Sequence, residues 1–450
     1  MEDSNCIGEV SLALSRSLET EDNPFNSTSE IVEWIARRNR EVGVSVRRVP
    51  FSEMKGWRFS GTTGDLVHES GRFFSICGVD VTTNTGKLSR WTQPIINQPE
   101  VGYLGILCRE FDGVLYFLLQ AKIEPGNVNC VQLSPTLQAT RSNYMQVHGG
   151  RKPEYLEFFQ NAKAGEILVD QLQSEQGARF LRKRNRNMVV VTREEVAAGE
   201  DFRWLTLRQI KELLRRDNTV NMDTRTVLSG LNIGRRRDVD AGALMTTDEI
   251  LHRLSELKSK YELIVDRIPL KDVDTWRISA DEISRPDRNF FRVIGVDVTI
   301  ENREVAHWFQ PLVEPMQEGL CVLFCKRFDG VMHYLLQAKV ECGNFDVVEL
   351  APTIQCLTGP YKNPIGYVPM FLDDFLSGGL PGKFLLDVMQ SEEGGRFFRE
   401  QNRNVIYELG DNVDIAPCDS HVWLTLPQIK DFLRFNNYLN IQVRSLISAL

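Results

Sequence analysis

The stretch FDGVLYFLLQAKIEPGN at residues 111–127 returns as FDGVMHYLLQAKVECGN at residues 328–344, and that return decides the architecture. Other segments repeat around it in the same order. FFSICGVDVT (73–82) becomes FFRVIGVDVT (290–299), QSEQGARFLRKRNRN (173–187) becomes QSEEGGRFFREQNRN (390–404), and WLTLRQIK (204–211) becomes WLTLPQIK (423–430). The offset is 217 residues from Trp91 to Trp308 and 219 from Trp204 to Trp423. Six of the seven tryptophans pair in this way, and Trp34 stands alone. Solenoid units are about 20–50 residues long, so a period this large is a duplication of a whole domain. The boundaries read as an acidic N-terminal tail over 1–29, a first repeat over 30–231, a linker over 232–246 and a second repeat over 247–450.

Each repeat opens with an amphipathic helix introduced by cap-type residues, STSEIVEWIARRNREVG (27–43) and TTDEILHRLSELKSKYE (246–262). Short runs rich in Val, Ile, Phe and Tyr follow and read as strands, with FDG as a hairpin turn. Residues 168–187 read as a helix or helix–loop, 188–192 as a strand, and 206–218 as a helix capped by Thr206. Strands in runs with helices at either end predict an α+β class, a mixed sheet packed by helices in each repeat.

Composition sets limits on function. The chain is 42% hydrophobic and 25% charged, with a mean hydropathy of -0.25, which excludes disorder throughout. No run approaches the roughly 20 apolar residues that a spanning helix needs, so no membrane partner is expected. The start, MEDSNCIGEV, is acidic and has no apolar signal-peptide core. A net charge of -8 counts against nucleic acid as a partner but leaves room for a local basic pocket around one anionic ligand. Nine cysteines, mostly in apolar runs and without a CxxC, read as reduced core thiols of a cytoplasmic protein. Six scattered histidines give no metal-ligand spacing, so no metal is expected, and no P-loop, GxSxG or GxGxxG occurs.

The most pointed motif is LLQAKxExGN. It starts as an apolar strand and ends in Gln120, Lys122, Glu124 and Asn127, or in Gln337, Lys339, Glu341 and Asn344. The two-residue strand period puts Gln, Lys and Glu on one face, the arrangement of a pocket lining and equally of an exposed edge strand. The loop that follows, residues 134–153, holds Thr136, Gln138, Arg141, Asn143, Tyr144 and His148, a set suited to phosphate and sugar hydroxyls or to an ordinary solvated loop. The second copy keeps Thr353, Gln355 and Tyr361 but has Thr358 for Arg141 and Ile365 for His148. Arg186 and Arg403, within the NRN triplets, are diphosphate candidates set against a solvated charge run. Trp57-Arg58 and Trp276-Arg277 fit either a base-stacking pair or a core tryptophan beside a surface arginine.

Taken together, LLQAKxExGN, SPTxQATRSNY (134–144), LQSEQGxxFLRKRNRN (172–187), APTxQC (351–356) and QSEEGGRF (390–397) resemble the NDP-hexose 2,3-dehydratases of deoxysugar pathways in antibiotic-producing actinomycetes. The resemblance covers both repeats and their order. It implies a tandem duplication of a Nudix-like domain, a homodimer, a dTDP-sugar substrate and no cofactor. The Nudix box itself is absent, and TREEVAAGE (192–200) is only a superficial echo. Without that carboxylate cluster a magnesium-dependent hydrolase is not expected.

The implied reaction has a physical logic. In a dTDP-4-keto-6-deoxyglucose the ketone at carbon 4 acidifies the proton at carbon 3. A base removes that proton, and the hydroxyl at carbon 2 leaves as water. The enol then becomes a 3,4-diketo-2,6-dideoxy sugar. The product is unstable and needs a downstream 3-ketoreductase or aminotransferase. Candidate roles are Glu124 or His148 as base, Lys122 or Arg141 at the enolate, and Tyr144 as proton donor, with Lys339, Glu341 and Tyr361 as a second set. Asn143 and Arg186 are placed toward sugar or diphosphate. The first repeat is favoured as the working one, and the differences Gln132/Glu349 and Gln176/Glu393 are expected to separate the copies. The alternative is a non-catalytic nucleotide-sugar binding protein with a duplicated pocket.

Overall fold

Asp112 and Gly113 both take left-handed backbone, at φ 48° and 78°, and Asp329 and Gly330 repeat this at 48° and 82°. Two such residues make the type I′ turn whose twist matches that of paired strands. Gly102–Phe111 therefore folds straight back on Val114–Ile123, and Gly319–Phe328 on Val331–Lys339. The computed structural model describes residues 2–144, 152–232, 238–301, 305–358, 368–415 and 418–450, without the side chains of residues 2–9, 142 and 143.

Each hairpin is the centre of a seven-stranded mixed sheet. In the first repeat the order is Ile167–Ser174, Arg184–Thr192, Gly102–Phe111, Val114–Ile123, Phe202–Thr206, with the short strands Val131–Ser134 and Leu137–Ala139 added to the central pair. Arg184–Thr192 runs parallel to Gly102–Phe111, and its neighbours are antiparallel. The second repeat reproduces the order with Gly382–Ser391, Gln401–Leu409, Gly319–Phe328, Val331–Lys339 and His421–Thr425. Helices cover these sheets, which gives the α+β class read from the sequence. Ile31, Trp34 and Ile35 pack on one sheet with Phe117 and Leu119; Ile250, Leu254 and Leu257 pack on the other with Leu336.

The helix starts follow the sequence reading. Ser27, Thr206, Thr246 and Thr425 each accept from the backbone of the Glu or Gln three residues on, which reaches back to close a capping box. Such caps contribute about 1 kcal/mol each.

Two segments differ from the reading. Residues 168–187, expected as helix or helix–loop, form a strand, a turn and the start of the next strand. Their Gln, Leu, Glu and Arg residues favour a helix locally, but pairing with Arg184–Thr192 buries Val169 and Gln173 and turns Asp170 outward. The segment expected as an acidic tail carries a helix, Glu2–Glu19. Val10, Ala13, Leu14 and Ser17 fall at helical spacing. Ala13 and Leu14 enter the first core, and Leu207 N donates to Ser17 Oγ at 2.8 Å.

The repeats are interlocked. Val44–Val49 of the first repeat pairs with Phe291–Ile300 of the second, and Leu263–Ile268 of the second pairs with Ser75–Thr83 of the first. Each copy thus lends its first strand to the other's five-stranded sheet, an exchange of equivalent elements within one chain. Phe180 and Phe397 meet edge-to-face at 5.7 Å in the shared core. Two buried arginines span the repeats. Arg225 donates to Ser445 Oγ at 2.7 Å and Ser391 O at 2.6 Å, and Arg444 donates to Thr226 Oγ1 at 2.8 Å and to Ser174 O.

Candidate functional site

The polar end of the LLQAKxE strand supplies the first groups. Leu115, Phe117 and Leu119 point into the core beneath the first helices, so the alternation turns Gln120 and Lys122 to the opposite face. Glu124 lies just past the strand and is 6% exposed. Its Oε1 accepts from Gln138 Nε2 at 2.8 Å and sits 3.7 Å from Lys122 Nζ. Its Oε2 accepts no hydrogen bond from the described residues.

The interlock brings a second carboxylate to this one. Gly126 N donates to Gly394 O at 2.7 Å, which pins the end of the motif to the turn of the other repeat. A Cβ placed on Gly395 would lie 3.0 Å from Glu393 Oε1 and 3.5 Å from Glu124 Oε1, so both carboxylates flank one point. Arg396, next along, stacks on Phe74 at 4.1 Å and donates to Gln98 at 3.1 Å.

Two further acids and a lysine complete the cluster. Glu175 accepts from Asn185 at 2.5 Å, and Asp223 stands buried in the first turn of the helix Met222–Ser229. Burial pushes Glu393 up to about 7, with Arg396 opposing and Glu175 and Glu124 adding to the rise. Burial also raises Glu175, and it raises Asp223 well above the carboxylate range, where Glu393, Glu175 and Glu124 add repulsion. Lys183 is lowered by burial, partly restored by Glu175 and Glu393. Glu393 is thereby placed to hold or release a proton near neutrality.

The duplication places a twin cluster at Lys339, Glu341, Gln355, Glu392 and Glu400, completed by Gln176 and Arg179 of the first repeat. Gln355 donates to Glu341 at 3.1 Å, Gln176 and Asn402 donate to Glu392, and Arg179 stacks on Phe291 at 4.3 Å. Burial raises Glu392 to about 7 and also raises Glu341 and Glu400. The twin differs where protons would move. It has Gln176 for Glu393, Gln442 for Asp223, Glu400 for Lys183 and Ala178 for Gly395.

The other sequence candidates are spread out. Tyr144 packs edge-to-face on Tyr103 at 5.4 Å, and burial raises its phenol, with Arg141 opposing. Arg141 is exposed beside it. Thr136 and Thr353 are buried strand clamps: each accepts from one backbone N–H, of Leu107 or Phe324, and donates to a carbonyl, of Leu118 or Leu335. Gln337 donates to Pro352 O at 2.8 Å. Trp57 and Trp276 are core residues of the exchanged sheets, with Arg58 and Arg277 exposed. Arg186 and Arg403 are committed to Asp170 and Asp387 at the surface. His148, Tyr361 and the side chain of Asn143 lie outside the described residues. The sequence reading missed Glu175, Asp223 and Arg396. For Asp223 the signal was the mismatch with Gln442; Glu175 and Arg396 are alike in both copies, and the nearby Ala178/Gly395 mismatch lies two residues from the one it did note at Glu393.

Comparison with known proteins matches this architecture. A family model described as NDP-hexose 2,3-dehydratase fits residues 28–231 and again residues 247–450. A dTDP-4-dehydro-6-deoxy-alpha-D-glucopyranose 2,3-dehydratase of Saccharopolyspora spinosa is 45% identical over 95% of this chain and 92% of its own. Proteins of the same name from Amycolatopsis orientalis and Streptomyces violaceoruber are each 42% identical, over 97% and 93% of this chain and 93% and 95% of theirs. A solved ADP compounds hydrolase aligns at 19% identity over 35% of this chain and 83% of its own, with a TM-score of 0.23.

Proposed function

Because this chain belongs to the NDP-hexose 2,3-dehydratase family, we propose that it is a hydro-lyase acting on dTDP-4-keto-6-deoxyglucose, and that the first-repeat cluster is where water is eliminated. The observation that supports this placement is the Glu124 carboxylate. One oxygen is held by Gln138 and lies beside Lys122; the other has no partner among the described residues. A buried carboxylate with a vacant lone pair next to an ammonium is the pair that enolisation requires. The carboxylate takes the proton from carbon 3, and the cation stabilises charge developing on the carbon 4 oxygen. Such electrostatic stabilisation is worth several kcal/mol when desolvated.

Arg141 and the Tyr103–Tyr144 pair are assigned to the nucleotide end of the substrate, since an exposed guanidinium beside two phenol rings suits a phosphate and a base. The twin cluster is assigned to binding a nucleotide sugar without turnover, since glutamines stand at its Glu393 and Asp223 positions. The reaction consumes no redox equivalent, and its 3,4-diketo product calls for a reductase or aminotransferase acting next. The chain is assigned to the cytoplasm as a homodimer. In support of the first, no helix among the described residues is long and apolar enough to cross a membrane.

The test is a coupled assay in which a 3-ketoreductase traps the product of purified protein and dTDP-4-keto-6-deoxyglucose. Formation of the trapped product supports the assignment. Tight binding of the substrate without loss of water defeats it.

A further inference from the structure

Four features distinguish the first-repeat cluster from its twin, and three of them bear on Glu393 and its surroundings. Glu393 replaces an amide, Asp223 replaces an amide, and Gly395 replaces an alanine. Glu393 is contributed by the other repeat, yet it flanks Gly395 together with Glu124. In the twin, Gln176 occupies its place by donating a hydrogen bond to Glu392. In the first cluster Gly395 has no Cβ, which lets Glu393 Oε1 and Glu124 Oε1 both close on this point; a Cβ there would press on Glu393 Oε1 at 3.0 Å. Glu124 is nine-tenths buried, and its other oxygen, Oε2, has no partner among the described residues. Two carboxyls converging on one point, one able to act as acid and one as base, match the demand of an elimination that takes a proton and a hydroxyl from two adjacent carbons.

We propose that Glu393 is the general acid of the dehydration, so that the active site is built from both repeats and resets itself each turnover. The proposal rests on the dehydratase reading above. Glu124 starts ionised and Glu393 starts protonated. Glu124 takes the proton from carbon 3, and the C–H pair forms the enolate with carbon 4. As the enolate collapses, carbon 4 regains its carbonyl, a double bond forms between carbons 3 and 2, and the carbon 2–oxygen bond breaks. The departing hydroxyl takes the Glu393 proton and leaves as water. The enol that remains carries its hydroxyl on carbon 3. Glu393, now a carboxylate, accepts that hydroxyl proton while Glu124 returns its own proton to carbon 2. The products are the 3,4-diketo sugar and one water, and both carboxyls regain their starting states. The groups facing Glu393 are Arg396, Glu175, Glu124, Lys183 and Asp223. Their mixture of signs and the burial keep Glu393 near about 7, between its two required forms.

The experiment compares the full-length wild type with Glu393→Gln and Gly395→Ala in deuterated water. Three readouts are taken: trapped product, deuterium appearing at carbon 3 of recovered substrate, and dTDP affinity. Glu393→Gln is expected to lower kcat by about 10²- to 10⁴-fold while deuterium still enters carbon 3 and dTDP still binds, because the base is intact and only the departure of hydroxyl is blocked. Gly395→Ala gives the turn the residue its counterpart already carries at position 178, so the fold is kept, and its Cβ is expected to cost at least about tenfold in kcat. A Glu393→Gln protein with kcat within about threefold of wild type overturns the proposal. So does one that binds dTDP but has lost both elimination and exchange, which would make Glu393 the base. A wild type that fails to eliminate water overturns the dehydratase reading itself, a different result from either.

Discussion

Glu124 of the first repeat and Glu393 of the second flank the same point beside Gly395, although each belongs to a different copy of the duplicated domain. The interlock makes this possible. Gly126 N bonds Gly394 O, and the reciprocal bond runs from Gly343 N to Gly177 O at 2.6 Å. A duplication with exchanged strands gives two composite sites for one chain, and each can diverge by substitution in either copy. Here the divergence is an acid at 393 against an amide at 176, so a residue of the second repeat distinguishes the site of the first.

Lys122 stands 3.7 Å from Glu124 and is assigned to the enolate. Lys122→Ala is expected to lower kcat by about 10²- to 10³-fold, with dTDP affinity measured by calorimetry nearly unchanged. Tyr144→Phe removes a phenol and keeps the ring that packs on Tyr103, and it is expected to impair turnover while dTDP still binds. Full turnover by both variants would sink the assignment of catalysis to the first repeat.

The twin supplies the matched control. Lys339 occupies the place of Lys122, and its Nζ reaches Gln355 O at 3.4 Å. Lys339→Ala is expected to leave kcat within about twofold of wild type and to weaken one of two dTDP binding events in a calorimetric titration. A loss of kcat as large as that of Lys122→Ala would move the chemistry to the second repeat.

Much of this was legible in the sequence, and the limit has a physical cause. The duplication, the Asp112-Gly113 turn, the Thr206 cap and the Lys122–Glu124 pair are local signals, carried by residues within a few positions of one another. The helix at Glu2–Glu19 was also local but was masked by an acidic composition; its Val10, Ala13, Leu14, Ser17 stripe was there to be read. The strand exchange was not legible. Val44–Val49 has the same pattern whether it pairs with its own repeat or the other, since Val79 and Val296 offer equivalent partners in FFSICGVDVT and FFRVIGVDVT. The site inherited that ambiguity. Glu393 was visible as a mismatch, and its position beside Glu124 depends on which copy owns the turn.

The buried arginines predict a stability effect. Arg225 is 1% exposed and donates to Val220 O, Gln390 Oε1, Ser391 O and Ser445 Oγ. Burial lowers its guanidinium to about 10, yet the bonds to three partners across the repeat boundary hold it in place. Arg225→Met removes the donor fork and strands those acceptors in the interior. It is expected to destabilise the fold by about 3–5 kcal/mol, read as a lower denaturation midpoint in urea. A midpoint equal to wild type would show that the arginine does not tie the repeats together.

Glu349 predicts a pH dependence with a definite sign. It is 2% exposed; its Oε2 accepts from Ser174 Oγ at 2.8 Å, and its Oε1 accepts no bond from the described residues. Burial raises it to about 7, with Ser174 and Arg444 opposing and Glu341 and Asp346 adding to the rise. Between its ordinary 4.5 and about 7 the folded chain holds this proton more tightly than the unfolded chain does. Stability therefore falls as pH rises through that window, and the full penalty remains above it. Glu349→Gln has no proton to lose. It also restores the residue found in the other copy, where Gln132 accepts from Ser391 Oγ at 2.7 Å and donates to Asn129 at 2.9 Å. The position equivalent to Asn129 is Asp346, an acceptor for the new amide. The variant is expected to match wild type near pH 4 and to exceed it by up to about 3 kcal/mol at pH 8, measured by urea unfolding at both values. Glu392 and Glu393, also raised to about 7 by burial, keep part of the slope in the variant. Equal stability of the two proteins at pH 8 would show that Glu349 is solvated or compensated in the folded chain.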